Sequence, residues 1–266
     1  MNTDMRSTIT LLILVVIVSV GVCAENDCGR LKSNSAVFPW NVGIYLGSEN
    51  EAELVCLGSI IQSDAVLTAA HCFCDNIDTH LRNGTFYIMS DNSLPKKINP
   101  RSSPSNLHKV NKNSIHIHKH YKGIINFLEN DLAIVKGRFN FNNKVKPICI
   151  DWSTEIVDTN SYGKQSVWHQ NQVTNVEQTY VSPDDCYSTS KPFIPFITED
   201  KSCTNLKTSG IPLSHESEGA ALVFSHSDRW YIKGVISMHD VTKKQMSTYT
   251  PVTQYINWIS NICATQ

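Results

Sequence analysis

Short apolar or alternating runs recur along the chain with turn signals between them, and this spacing restricts the fold more than any other feature. They are WNVGIYL, LVCLGSIIQ, AVLTAA, TFYIMS, LAIVKG, QVTNVEQTYV, GAALVF and WYIKGVISM. Strands at such intervals argue for an all-β sandwich or barrel. One stretch breaks the pattern: in VTQYINWISNI, Val252, Tyr255, Ile256, Ile259 and Ile262 fall on one stripe, which predicts a C-terminal helix. A shorter helix is expected at SPDDC, with Ser182 as N-cap, Pro183 in the first turn, and Asp184 and Asp185 favourable to the helix dipole. KVKPICI reads as the link between two β lobes.

The first 24 residues are set apart. MNTDMRSTIT carries one arginine, LLILVVIVSVGV is an unbroken apolar run, and VCA offers small residues for cleavage. Crossing a bilayer takes roughly 20 apolar residues, so the run is expected to be a signal-peptide core, with residues 1–24 removed and the product secreted. Residues 25–37 then form a short N-terminal segment and residues 38–263 one large domain. Secretion turns the cysteines into a disulfide framework. Of nine, Cys23 leaves with the signal, and Cys28, Cys56, Cys72, Cys74, Cys149, Cys186, Cys203 and Cys263 remain. Composition alone permits on the order of a hundred pairings of these. CFC is too tight for a metal site and no paired CxxC occurs, so no metal or cofactor is expected. The sequon NGT makes Asn83 a candidate glycosylation site. A net charge of −1 gives no overall pull toward nucleic acid or membrane.

Four stretches in order carry a resemblance that covers nearly the whole mature chain. VLTAAHC (Val66 to Cys72) is the most specific, followed by ENDLAIVK (Glu129 to Lys136), KPICI, and RWYIKGVIS…YTPVTQYINWI. Together they resemble the chymotrypsin–trypsin serine protease family. The resemblance implies two antiparallel six-stranded β-barrels with the active site in the cleft between them. It also implies roles for two residues: His71 as the general base and Asp131 as the buried carboxylate that fixes its tautomer.

The nucleophile loop departs from the family pattern C-x-G-D-S-G-G-[PGA]-L-V. Aligned without a gap on Leu222 and Val223, LSHESEGAALVF places Ser214 at the cysteine, Glu216 at the first glycine, Ser217 at the aspartate and Glu218 at the nucleophilic serine. A carboxylate there is expected to ion-pair with His71 and to crowd the position of the oxyanion. A rival register, with one inserted residue after Gly219, lays ESEG over DSGG and makes Ser217 the nucleophile. Other positions favour the first. LKSN after Arg30 is a poor substitute for the IVGG that family zymogens expose on cleavage. Both halves of the specificity-pocket bridge are absent, one of them at Ser214. The S-W-G strand reads Ser237, Met238, His239, and the pocket-floor aspartate falls near Pro212.

The resemblance also implies three bridges by position: Cys56–Cys72, Cys186–Cys203 and Cys28–Cys149. Elimination leaves Cys74 to pair with Cys263, or one of them reduced or joined to another chain. The opening CG…PWNVGIY resembles that of arthropod modular serine proteases. A basic segment from Lys96 to Lys122 has no Asp or Glu, and its Lys96, Lys97, Arg101, Lys109 and Lys112 are candidates for an exosite toward an acidic protein or glycan. His118 sits where family members commonly have a histidine. The expected function is that of a secreted, non-hydrolytic protease homologue. It would bind as cofactor, decoy or regulator in an extracellular protease cascade such as innate immunity. An active endopeptidase using His71, Asp131 and Ser217, and a carbohydrate- or surface-binding module, are the alternatives.

Overall fold

The computed structural model describes residues 27–31, 37–75, 79–91, 93–102, 104–141, 145–152, 162–188, 193–207, 210–240 and 246–265. The expected signal peptide and most of the segment after Arg30 lie outside these residues. Among the described residues no helix is long and apolar enough to cross a membrane.

The first lobe is a sheet of eight strands: β1 (Asn41–Gly47), β2 (Ala52–Gln62), β3 (Ala65–Thr68), β4 (Thr85–Met89), β5 (Lys97–Ile98), β6 (Leu107–Lys109), β7 (Ile115–Ile117) and β8 (Ala133–Lys136). Its hydrogen-bonded order is β6-β4-β1-β2-β3-β8-β7, with β5 paired to the start of β2. The second lobe is a closed six-stranded antiparallel barrel, β10-β11-β14-β13-β12-β9, built from β9 (Tyr162–His169), β10 (Gln172–Val181), β11 (Ser202–Leu206), β12 (Ala221–His226), β13 (Arg229–Asp240) and β14 (Met246–Pro251). Among the described residues only this barrel closes. In the first lobe the edge strands β6 and β7 are neighbours in the chain, but the Lys112–Ser114 stretch between them takes a 3-10 turn, capped by the Asn111 side chain, in place of a ladder.

The runs form strands because they are buried, on both faces in Asn41–Gly47, Ala65–Thr68 and Thr85–Met89 and in alternation in Gln172–Val181. Trp40, Val42, Ile44, Ile60, Leu67 and Ile134 meet in the core of the first lobe. The C-terminal stripe divides. Val252–Tyr255 is a 3-10 turn behind Pro251, and the helix proper, α2, spans Ile256–Ala264 and buries Ile259 and Cys263. The short helix α1 (Pro183–Tyr187) is capped as its sequence suggested, Ser182 Oγ accepting the Asp185 amide at 3.2 Å. His118 packs edge-to-face on Tyr255 and Trp258, fixing α2 against the first lobe.

Three disulfides form: Cys28–Cys149, Cys56–Cys72 and Cys186–Cys203. The pairing of Cys74 with Cys263 does not form. Both residues are buried, Cys74 bridging to Leu81 beside the His71 turn and Cys263 at the end of α2. Asn83 is exposed in the turn before β4. The basic segment is not a bare cationic face. Lys97 pairs with Glu51 and Glu53 at 3.0 and 2.8 Å, and Lys109 with Glu49 at 3.0 Å. Lys112 donates to the Arg82 carbonyl, and Lys96 pairs with Glu216. The acids come from the β1–β2 hairpin, which folds over a segment that has none of its own. Of the five candidates only Arg101 is left outside these pairings, in a cleft it shares with Glu49 and Lys109.

Candidate active site

His71 sits in the 3-10 turn Ala70–Cys72 that follows β3, tied by Cys56–Cys72 to β2. Asp131, fully buried ahead of β8, receives three donors. The His71 backbone amide reaches Oδ1 at 2.9 Å, while His71 Nδ1 and the Ser237 hydroxyl reach Oδ2 at 2.7 and 2.6 Å. Burial alone would raise the Asp131 carboxyl, but His71, Lys201 and Ser237 outweigh it and hold it below its ordinary range.

On the other side of the imidazole stands Glu218. Its Oε2 lies 3.2 Å from His71 Nε2, and its Oε1 takes His215 Nδ1 at 3.1 Å and the His239 amide at 3.2 Å. Burial opposes its charge, yet these donors bring its pKa down to about 2. The same balance governs His71. Desolvation disfavours the imidazolium, but carboxylates at both ring nitrogens outweigh it and carry the pKa up to about 10. His71 is therefore a cation with both N–H groups donating, and it has no lone pair with which to accept a proton.

Ser217 is turned elsewhere. It is fully buried, and its Oγ accepts the Trp168 amide at 2.9 Å and lies 3.4 Å from Ser214 Oγ. The loop coils into a 3-10 turn over His215–Ser217, so the Ser217 amide donates to the Ser214 carbonyl and the Glu218 amide to the His215 carbonyl, at 2.9 and 3.0 Å. In the gap-free register the family's oxyanion donors are the amides of Glu216 and Glu218, and the Glu218 amide is spent on the His215 carbonyl. The gap-free register thus describes which side chain faces His71. Pro212 is exposed. His239 is buried, its ring against Ser247 Oγ at 2.7 Å and Gln165 at 3.5 Å, and burial lowers its pKa to about 4. It is thus a neutral imidazole where the family leaves room for a substrate chain.

Two contributors escape sequence reasoning. His215 is legible only as an i,i+3 neighbour of Glu218. Lys96 is read from sequence as an exosite cation, and nothing there signals its pairing with Glu216, 120 positions away. Residues 93–98 cross from the first lobe to the β9–β10 hairpin, whose turn is Gln170–Asn171 with φ 50° and 64°. Leu94 and Lys96 amides donate to the Asn171 carbonyl and side chain, and Trp168 Nε1 donates to the Leu94 carbonyl. The Lys96 ammonium lies over the Trp168 ring and pairs with Glu216, bracing the loop from the opposite lobe. Lys96→Met is expected to cost only about 1 kcal/mol, since the pair is part-exposed. It should nevertheless speed hydrogen exchange at the Ser217 and Glu218 amides; unchanged exchange there would dismiss the brace.

Comparison with known proteins agrees with this architecture. The family model described as Trypsin matches residues 28–259. The urokinase-type plasminogen activator of Gallus gallus is 23% identical over 245 residues, covering 84% of this chain. The chain spans about half, 54%, of that relative's length. A closed six-stranded barrel, a curved partner sheet, a histidine–aspartate pair at their junction and a match across most of the sequence place the chain in the trypsin family.

Proposed function

We propose that this trypsin-family chain does not hydrolyse peptides and acts by binding, as a secreted cofactor, decoy or regulator of an extracellular protease. The observation that carries the reading is the Glu218 carboxylate on His71 Nε2. Acyl transfer by the serine route needs a neutral imidazole to take the nucleophile's proton. Here the proton is already on the ring and clamped from both sides. The collapsed loop amides and the buried His239 support the same reading, because each removes a separate requirement of peptide cleavage. The partner is then a protein recognised by surface, and a protease or protease precursor of an extracellular cascade is the class this reading takes, the similar urokinase-type protein being by its name an activator of plasminogen.

The test is covalent labelling with a serine-directed fluorophosphonate, before and after limited trypsin treatment directed at the Arg30–Leu31 bond. No labelling is expected in either state. Labelling that disappears in Ser217→Ala would establish the active-enzyme alternative, with Ser217 as nucleophile. An inert chain that changes the turnover of a cascade protease, with the change retained in Ser217→Ala, supports the binding role.

A further inference from the structure

Large apolar side chains reach solvent together in the loop from β7 to β8. It turns through a 3-10 stretch at Gly123–Asn126 and leaves Ile125 72% exposed, Phe127 46% and Ile124 41%. Phe127 meets Phe196 of the α1–β11 connection edge-to-face at 6.0 Å, so the apolar row runs on from the first lobe to the second. Single exposed hydrophobics are ordinary on a protein surface. A contiguous group with an aromatic pair within it marks a surface that another molecule covers.

The row is held in place at a cost to the backbone. Phe127, Leu128 and Asn130 have φ of 48°, 60° and 56°, left-handed values that residues other than glycine rarely adopt. Contacts from both lobes fix them there. Within the loop, the Leu128 amide donates to the Gly123 carbonyl at 3.1 Å and the Asn126 side chain engages Glu129. From the second lobe, Lys201 Nζ donates to the Leu128 carbonyl at 2.9 Å, and Asp200 Oδ2 accepts the Asn130 amide at 2.8 Å. A backbone fixed in this way has little freedom left to lose when its side chains are covered.

Charges of both signs flank the row. Lys119 and Lys122 are exposed ahead of Ile124, Glu199 is exposed beyond Phe196, and among the described residues none of the three joins an ion pair. Cations therefore lie at the first-lobe end of the row and a carboxylate at the second-lobe end. Such a surface is complementary to itself. Turned about a two-fold axis through its apolar centre, it lays the lysines of one copy against Glu199 of the other, and apolar on apolar. We propose that this face is the contact of a symmetric dimer of the chain, with Lys122 of each copy facing Glu199 of the other. A bilayer is the poorer occupant, because anionic headgroups that attract the lysines repel Glu199. The inference does not rest on the loss of hydrolysis, since none of these residues contacts Glu218 or His239.

The experiment is sedimentation velocity on the mature chain from about 1 to about 100 μM, where a dimer of micromolar affinity doubles the sedimenting mass. Ile125→Asn/Phe127→Asn should weaken the dimer by about tenfold or more with an unchanged thermal melt, since both side chains are exposed and asparagine accepts the φ of Phe127. Lys122→Glu and Glu199→Lys should each weaken it by about tenfold, because each reversed charge meets its like twice in a symmetric contact. An equimolar mixture of these two variants should dimerise again, to within about threefold of the parent, because both contacts then join opposite signs. A monomer at about 100 μM overturns the inference. So does a dimer that survives the asparagine pair, or a mixture that stays monomeric. A monomer that instead sediments with vesicles of phosphatidylcholine and phosphatidylserine, and loses this in the asparagine pair, would assign the row to a lipid surface.

Discussion

Replacing Glu218 with glutamine is expected to bring the titration of His71 down and to remove a large part of the chain's stability at neutral pH. In the intact chain His71 has a folded pKa of about 10 against an ordinary 6.5. A group raised in this way contributes its full stabilisation below pH 6.5 and loses it as pH climbs toward 10. Glu218 runs the other way. With a folded pKa of about 2 against 4.5, its contribution is complete above pH 4.5 and disappears as pH falls toward 2. The charged cluster therefore stabilises most between roughly pH 4.5 and pH 6.5, the alkaline limb coming from Asp131 and Glu218 together on His71 and the acid limb from Glu218. Glutamine keeps the size of Glu218 and removes its charge, leaving His71 with Asp131 alone. Breaking one partner of a buried pair costs about 3–5 kcal/mol. Denaturant titrations at pH 3, 6, 7 and 9 read the effect directly. The loss should be largest at pH 6, and the imidazole carbon protons should report an earlier His71 titration. Equal stability of the two proteins at pH 7 would sink the ion pair as the organising feature of the site.

That site was legible in parts. TAAHC and NDLAIV mark His71 and Asp131 because a turn after a buried strand and a buried carboxylate before one are local features, readable in a few residues. The loop was harder. LSHESEG admits two registers on its letters, and they differ in which of two adjacent side chains faces the histidine. The backbone separates them: the 3-10 turn over His215–Ser217 sends Ser217 toward Trp168 and Glu218 toward His71. No local pattern encodes that turn's anchors, because Lys96 comes from the other lobe. The same limitation explains the basic segment. Read along the chain it has no acid, while in space the β1–β2 hairpin supplies Glu49, Glu51 and Glu53. Counting cysteines paired Cys74 with Cys263 by elimination, but elimination ignores where strands β3 and β8 and helix α2 set the two side chains.

Gly219→Ala is expected to be among the most damaging single-methyl changes in the protein. Gly219 has φ +80°, a region that costs an L-residue about 1 kcal/mol or more. A Cβ there meets the Leu57 carbonyl oxygen and Thr68 Oγ1, each at 2.3 Å. Neither neighbour yields easily. Leu57 lies within β2, where its amide accepts no freedom because it donates to the Glu218 carbonyl at 2.9 Å, and Thr68 Oγ1 donates to the Leu57 carbonyl at 2.8 Å. Adding overpacking of about 1–3 kcal/mol brings the expected loss to roughly 2–4 kcal/mol, a large share of a typical domain's stability. Gly210→Ala is the internal control: its φ of +138° carries the backbone cost, but nothing lies within 4 Å of its Cβ position. Unfolding free energies of the two variants should differ by about 1–3 kcal/mol, and equal values would show that the close approach at Gly219 is absent. The consequence reaches the family comparison. Gly219 keeps the residue type of the trypsin pattern while the position before it has exchanged serine for glutamate. Its glycine is required by the packing of the loop on β2 and β3, beneath His71, whether or not a substrate is ever bound. Residues of an active-site motif can thus be held by the fold independently of any chemistry, and a motif scored by matching letters alone credits them to catalysis.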